Sequence, residues 1–319
     1  MKKALICGIS GQDGAYLSRL LLSKGYEVWG TSRNGPSGQK DNLDKLGVAK
    51  QINILKLNLQ ESNAVTEVIK TSNPDEIYIL SGPSSVGESF KFPEVSRNEI
   101  IGATRNILET CRLSNRGVKI YHASSSESFG NIETGYATEE TVFKPRSPYA
   151  EAKAISHDEV LKYRNDFEIF CASGILFNHE SPLRSSLFVT KKIVSTAVRI
   201  SKGSNEKLHL GRLDIQRDWG YAPEYVEAMW QILQLESPED FVIATGVTNS
   251  LEDFVDQVFN TLNLNWNDHV IEDAAYFRPS EIQRSAGNAG KAAEILKWKP
   301  TIDFKEMVRL LVKEESNGS

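Results

Sequence analysis

Three evenly spaced glycines near the N-terminus, Gly8, Gly11 and Gly14, constrain this chain more than any other feature. They follow Ala4-Leu5-Ile6-Cys7, a short apolar run suited to a strand buried on both faces. They precede Tyr16, Leu17, Leu20, Leu21 and Leu22, whose spacing marks an amphipathic helix ending near Gly25. Strand, glycine turn and helix in that order let backbone N–H groups approach an anion at the helix N-terminus. Glycine serves there for the tight turn, for close approach of a pyrophosphate, and for packing of the helix on the strand. A dinucleotide is the expected ligand. A ligand-free βα turn is the plain alternative.

The end of the second strand, 27–31, should distinguish the cofactor. An acid there would hold the ribose 2′-hydroxyl of NAD, and an arginine would accommodate the 2′-phosphate of NADP. The residues are Thr31-Ser32-Arg33-Asn34, with no acid before Asp41, so NADP is expected. Gly8, Ser10, Gly11, Gln12, Asp13, Gly14 and Arg33 form the first part of the cofactor set. The loop 35–40 that follows is turn-rich and expected to be mobile without ligand.

Strand and helix patterns alternate through the next hundred residues. Strands are expected at 52–57, 76–80 and 118–123, and helices at 62–70 and 98–114. This βαβα order implies a doubly wound parallel sheet of Rossmann type, with ligands at the carboxyl ends of its strands. Asn58, Leu59, Leu80, Ser81 and Gly82 stand at such ends and join the cofactor set. Ser84 and Ser85, and the run Ser124-Ser125-Ser126-Glu127, stand at others. Ser147-Pro148-Tyr149 opens a further helix that would set Tyr149 and Lys153 one turn apart on a single face. An ammonium held that close favours the phenolate, so Tyr149 is expected to titrate nearer neutrality and to act as a base. Such a pair also occurs as an ordinary helical surface stripe.

The second half is less regular. Strands are expected within 167–176, at 208–211 and at 241–246, and helices at 191–202, 225–235, 292–298 and 304–313. The tail 315–319 reads as frayed. No repeat or linker divides the chain, so a smaller mixed α/β substrate-binding lobe is expected to pack on the first. The expected boundaries are 1–177 for the nucleotide-binding domain, with returning segments near 213–245, and 178–319 mainly for the second lobe.

The 319 residues are 40% hydrophobic and 25% charged, with a formal net charge of −5, which makes nucleic acid and anionic membrane poor partners. Cys7, Cys111 and Cys171 lack metal-ligand spacing and read as small buried hydrophobes of a reducing, cytoplasmic compartment. No metal site is expected.

Six blocks in order carry a family resemblance: Gly8-Ile9-Ser10-Gly11-Gln12-Asp13-Gly14, Pro145-Arg146-Ser147-Pro148-Tyr149-Ala150, the run 174–182 around Asn178-His179-Glu180-Ser181, Phe188-Val189-Thr190-Lys191-Lys192-Ile193, Arg217-Asp218-Trp219-Gly220, and the run 241–246. The chain resembles the GDP-mannose 4,6-dehydratase family within the extended short-chain dehydrogenase/reductase superfamily. That resemblance implies oxidation at C4 of the hexose, loss of water across C5 and C6, and return of hydride to C6. It assigns Tyr149 as base at the 4-hydroxyl and Lys153 as the residue that tunes it and holds the nicotinamide ribose. Ser125 would bond the 4-oxygen, Glu127 would act at C5, and Ser126 would help the C6 hydroxyl leave. It adds His179 to the cofactor set, although His179 and Glu180 also read as loop-structuring residues. For the nucleotide sugar it implies Ser84, Ser85, Asn178, Val189, Lys192, Gly211, Arg217, Arg278 and Glu281. Asp218 is expected to hold a neighbouring arginine.

The chain departs from the pattern at several places. Ser125 replaces threonine, and Ser128-Phe129 replaces Leu-Tyr. Ser85 replaces a histidine, Leu183 one of two arginines, and Asn58 an acid. The loop 34–43 lacks a basic, serine-rich segment. A GDP-4-keto-6-deoxymannose 4-reductase, or a dehydratase of a modified GDP-sugar such as a GDP-heptose, are the alternatives. A catalytically silent nucleotide-sugar binder is a third. A homodimer or homotetramer is expected.

Overall fold

The computed structural model describes residues 1–38, 41–114 and 116–318. Its strands are β1 (Lys3–Cys7), β2 (Glu27–Ser32), β3 (Asn53–Lys56), β4 (Glu76–Ile79), β5 (Lys119–Ser125), β6 (Cys171–Leu176), β7 (Asn178–Glu180), β8 (Leu208–Leu210), β9 (Gln216–Tyr221), β10 (Phe241–Ile243), β11 (Thr248–Ser250), β12 (Val270–Glu272) and β13 (Arg284–Ser285). Its helices are α1 (Gln12–Ser23), α2 (Asp41–Lys45), α3 (Ser62–Ser72), α4 (Val86–Lys91), α5 (Pro93–Ser114), α6 (Pro148–Phe167), α7 (Val189–Ser201), α8 (Ala222–Gln234), α9 (Leu251–Thr261) and α10 (Phe304–Gly318).

Seven parallel strands run in the order β10-β6-β5-β4-β1-β2-β3, the doubly wound sheet the alternation implied. β1 is buried from both sides. Ala4 and Ile6 pack toward α1 and α8, while Leu5 and Cys7 pack toward α3 and α5. Burying one such large aliphatic side chain contributes roughly 1.5–3 kcal/mol, so β1 anchors both layers. Beside it the strand order reverses, with β2 on one flank and β4 on the other. The carboxyl ends at such a reversal splay apart and leave a crevice for ligand. The glycine turn lies over it. A Cβ on Gly8, whose φ is +96°, would come within 2.9 Å of the Ser81 nitrogen at the end of β4.

A third core is formed by α7, α9 and α10 around Trp219 of β9, with Ile193, Phe254, Phe259 and Met307 fully buried. β9 pairs with β7, β11 and β13 in a small sheet, and β8 pairs with β12. Between these elements the chain returns to the first body. α8 packs on the α1 side of the large sheet, and β10 extends that sheet beside β6. Residues 292–296 also return, as one π-helical turn whose Ala292 and Leu296 join the same core.

Several element boundaries differ from those expected. The strand at 118–123 extends to Ser125, so Ser124 and Ser125 belong to β5 rather than to a loop. The strand expected within 167–176 occupies Cys171–Leu176, since α6 runs to Phe167 and Glu168 in the left-handed conformation ends it. The helix expected from 98 starts at Pro93, after the short α4, which periodicity did not reveal. The tail is helical through Gly318, and Lys191 Nζ donates to Glu315 at 2.6 Å. In the loop after β2, residues 35–37 form a 3₁₀ turn, and Gln39 and Lys40 lie outside the described residues. Among the described residues, no helix is long and apolar enough to cross a membrane.

Gly14 is the most crowded of the three turn glycines. A Cβ there would strike the Gly8 carbonyl oxygen and come within 2.7 Å of Ile9 Cα, both backbone. Gly14→Ala is therefore expected to destabilise the protein by about 1–3 kcal/mol. Urea unfolding should show a lower midpoint at unchanged slope.

Candidate active site

The crevice at the strand reversal is a cleft of about 710 Å³. Gly8, Ser10, Gly11, Gln12, Asp13 and Gly14 line it from β1 and α1, Arg33 from β2, Asn58 and Leu59 from β3, and Leu80, Ser81 and Gly82 from β4. Every cofactor residue expected from the first four strand ends is thus in one wall. α1 starts at Gly11 with no side chain capping it, so its first N–H groups face the cleft. The Ser81 hydroxyl is buried and has no hydrogen-bond partner within the protein. An uncapped helix end, a glycine cradle and an unspent hydroxyl fit a dinucleotide diphosphate. At the mouth, Arg33 is three-quarters exposed and stands 3.4 Å from Glu99, with Thr31 and Ser32 beside it.

A second cavity opens from the same cleft and shares Asp13, Leu80, Ser81, Gly82 and Ser84 with it. Ser124, Ser125, Ser126 and Glu127 from the end of β5 line it, with Tyr149 and Lys153 from α6. The local sequence accounts for α6. Pro148 occupies its first turn, and the Ser147 hydroxyl accepts from the Ala150 N–H at 3.1 Å. Tyr149 and Lys153 consequently share a buried face, with the ammonium 6.0 Å from the tyrosine ring centre.

The titration of this pair differs from the expectation. Burial pushes the Tyr149 phenol up to about 12, Ser125 works against that by hydrogen bonding, and Glu127 adds to it by its charge. Lys153 does not lower it. Its Nζ donates to the Ala123 carbonyl at 2.9 Å, and burial pushes the amine down to about 8. In the protein alone, desolvation outweighs the helical pairing that suggested a low phenol pKa. The proton on Tyr149 is therefore held, and Ser125 is the neighbour that most opposes this.

Asn178, Val189, Arg217 and Arg278 line the second cavity, as do Ser84 and Ser85. Ser85 also caps α4 by accepting from Glu88 N at 3.2 Å. Glu281 lies behind the wall and holds Arg217 at 2.9 Å, and Arg217 also donates to the Ile282 carbonyl at 2.7 Å. Burial lowers the Arg217 pKa, while the carboxylates of Glu127 and Glu281 push it back. Lys192 and Gly211 do not line the cavity. Lys192 Nζ donates to the His209 carbonyl at 2.6 Å and lies over the Tyr276 ring, and Gly211 packs against the Tyr276 carbonyl. Asp218 does not hold an arginine. It accepts from Thr245 N, Thr245 Oγ1 and Gly246 N at 2.7–2.8 Å, which fixes the turn after β10.

Arg184 was not anticipated. It lines both cavities, with its guanidinium over the Phe188 ring at 3.5 Å and its Nε 3.1 Å from Glu180. The stretch from Glu180 to Arg184 leaves β7 without forming a helix, so no periodicity marks Arg184 in the sequence. Next to it, His179 bridges the two halves. Its Nδ1 is 2.7 Å from the Phe177 carbonyl and its Nε2 is 3.0 Å from Asp13 Oδ2. Both neighbours are acceptors, so the ring carries both protons and is a cation. Burial disfavours both charges, yet each stabilises the other: the Asp13 pKa falls to about 2, and the His179 pKa rises. His179 has the structuring role expected of it, but it lines the second cavity rather than the cofactor cleft, which it reaches only through Asp13.

A helix-borne Tyr–Lys pair in a cavity that opens from the glycine-turn cleft places the chain among the extended short-chain dehydrogenases/reductases. Residues 5–311 match the family model described as GDP-mannose 4,6 dehydratase. The chain belongs to that family. It is 42% identical to GDP-mannose 4,6 dehydratase 2 of Arabidopsis thaliana, over 98% of this chain and 87% of that one. It is 40% identical to GDP-mannose 4,6 dehydratase of Homo sapiens, over 97% and 90%. Among solved structures, UDP-glucose 4-epimerase of Thermus thermophilus in complex with NAD shares the fold, with a TM-score of 0.87 at 22% identity over 99% and 100% of the chains.

The buried Asp13–His179 pair has a defined pH window. His179 is raised in the folded state, so its contribution is complete below its ordinary value of 6.5 and is lost as pH rises through the folded pKa. Asp13 is lowered, so its contribution is complete above 3.8 and is lost as pH falls toward about 2. The melting temperature should fall on the alkaline side of this window. His179→Asn should remove that alkaline loss while lowering the plateau, as measured by thermal melts from pH 5 to 9.

Proposed function

We propose that this protein converts GDP-mannose to GDP-4-keto-6-deoxymannose with NADP held in the larger cleft. The observation that carries the reading is the presence of Glu127 and Ser126 in the same cavity wall as Tyr149. A simple ketone reductase needs the tyrosine and lysine, whereas loss of water needs a further base beside them. A bound nicotinamide supplies a hydride acceptor at C4 of the sugar that later gives the hydride back at C6.

The chain's own residues handle the protons. The positive charge of an oxidised nicotinamide beside the phenol would favour the phenolate, so that Tyr149 takes the proton of the 4-hydroxyl, and Ser125 beside it steadies the forming C4 carbonyl. The new ketone acidifies the C5 proton, which brings it within reach of a carboxylate, and Glu127 removes it. Glu127 returns that proton to the departing C6 oxygen, with Ser126 donating a hydrogen bond to it, so that water leaves. C5 then takes up one proton from solvent, which balances the proton left on Tyr149. Arg217, buried and directed by Glu281, and Arg278 meet the diphosphate and guanosine end, where forked N–H donors suit paired oxygens. The N-terminus of α7 at Val189, also without a side-chain cap, adds backbone N–H groups on the same wall. Arg33, Thr31 and Ser32 favour NADP over NAD, because a cation and two hydroxyls replace the acid that would accept a ribose hydroxyl.

Purified protein incubated with GDP-mannose, without added cofactor, is expected to yield a product lighter by one water in mass spectrometry. Absence of that product overturns the reading. Turnover of the 4-keto-6-deoxy sugar with net NADPH consumption would mark a 4-reductase instead. Glu127→Gln should lower dehydration by about 10²–10⁴-fold while C4 oxidation stays measurable by nicotinamide absorbance. Arg33→Ala should weaken NADP binding about tenfold or more and leave NAD affinity within about twofold, as titrated by fluorescence.

A further inference from the structure

Behind the catalytic pair lies a row of buried polar groups with no part in the chemistry so far. β5 and β6 pair in register with His122 opposite Ser173, and His122 Nδ1 is 3.2 Å from Ser173 Oγ. The next strand continues the row, since the Ser173 N–H donates to Asp240 Oδ1 at 2.6 Å, just before β10 at the edge of the sheet. α6 covers this row on one side, with Lys153, Ser156 and His157 on its buried face. His157 Nε2 stands 3.7 Å from Asp240 Oδ2, and Arg164 holds the same carboxylate.

Four atoms in this row have no hydrogen-bond partner within the protein: His122 Nε2, Ser124 Oγ, Ser156 Oγ and His157 Nδ1. All four residues are under 7% exposed. An unsatisfied polar atom in a core is costly, and four of them between one strand and one helix are better satisfied by enclosed water than left bare. The row begins at Lys153, whose burial brings the neutral amine within reach near neutral pH. It ends at Asp240, which is partly open to solvent.

We propose that this row is a proton-conducting seam, completed by ordered water, that links the Tyr149–Lys153 pair to solvent at Asp240. The proposal rests on the dehydratase reading. In each turnover Tyr149 gains the proton of the 4-hydroxyl and must lose it before the next one. The seam carries that proton out through Lys153 and the histidines, and one proton taken up from solvent at C5 balances it. Only O–H and N–H bonds exchange along the way. The charged groups facing the histidines are Lys153, Asp158 and Arg164 of α6 and Asp240 before β10. His122 and His157 act here through Lys153 and are relay residues rather than catalytic ones.

The test uses His122→Phe and His157→Phe in the full chain. Each variant is expected to lower kcat for GDP-mannose by about tenfold, to leave KM within about twofold, and to raise the solvent deuterium isotope effect on kcat above that of the wild type. Unchanged kcat and isotope effect in both variants overturn the seam. Should His122→Phe fail to fold, His157→Phe at the outer end carries the kinetic test. A high-resolution crystal structure of the wild type is independent of the activity. Water bonded to His122 Nε2 and His157 Nδ1 is expected, and a dry row overturns the proposal even if the dehydratase reading holds. Failure of the wild type to dehydrate GDP-mannose, with water present in the row, would overturn the substrate reading and leave the seam standing.

Discussion

The junction between the first helix and the segment leaving β6 holds the site together. Gln12 donates to Asp13 at 3.0 Å and to the His179 carbonyl at 3.2 Å, and Ser181 donates back to Gln12 at 2.7 Å. With the Asp13–His179 ion pair, these bonds tie the glycine turn to the strand that begins the sugar-nucleotide wall. With His179 buried and Asp13 only partly open to the cleft, each charge is held in place by the other, so the two halves of the junction stabilise one another. Because the two cavities share Asp13, the junction also sets their relative position.

Burial dominates the electrostatics of this site. Tyr149 keeps its proton and Lys153 is inclined to lose its own, the reverse of what pairing on one helical face suggests. Close spacing along a helix shows that two groups can interact, but the dielectric around them decides which protonation states result. The opposite wall shows the same competition. There, Arg217 stays charged in a buried position because Glu281 and Glu127 both face it. Glu127 faces that cation on one side and, on the other, a phenol that burial first and the carboxylate's charge second make reluctant to ionise.

Most of the nucleotide-binding body was legible from the chain alone, because its signals are local. Two-sided apolar runs, glycines between strand and helix, and the proline-led start of α6 each act within a few residues. The residues from Gly8 to Gly82 expected at the cofactor come together in one crevice, since a doubly wound sheet gathers strand ends there. Long-range partnership was less visible. Nothing in Arg217-Asp218 shows which of the two faces the cavity, or that Asp218 secures a turn 27 residues later. Lys192 reads as a ligand residue by position, yet the structure engages it with His209 and Tyr276. Arg184 follows a proline and a leucine in an irregular stretch, where no periodicity marks a side chain that reaches two cavities. The row from His122 to Asp240 depends on strand register, which only the assembled sheet defines.

The path of the chain between its two bodies bears on how the molecule assembles. β7 leaves the large sheet, α8 and β10 return to it, α9 leaves again, residues 292–296 come back, and α10 ends outside. No single cut in the backbone separates one core from the other. The halves therefore cannot be exchanged between relatives as modules, and a nascent chain cannot finish its edge strand β10 until just over three-quarters of its length has emerged. Completion of the first body waits on synthesis of the second.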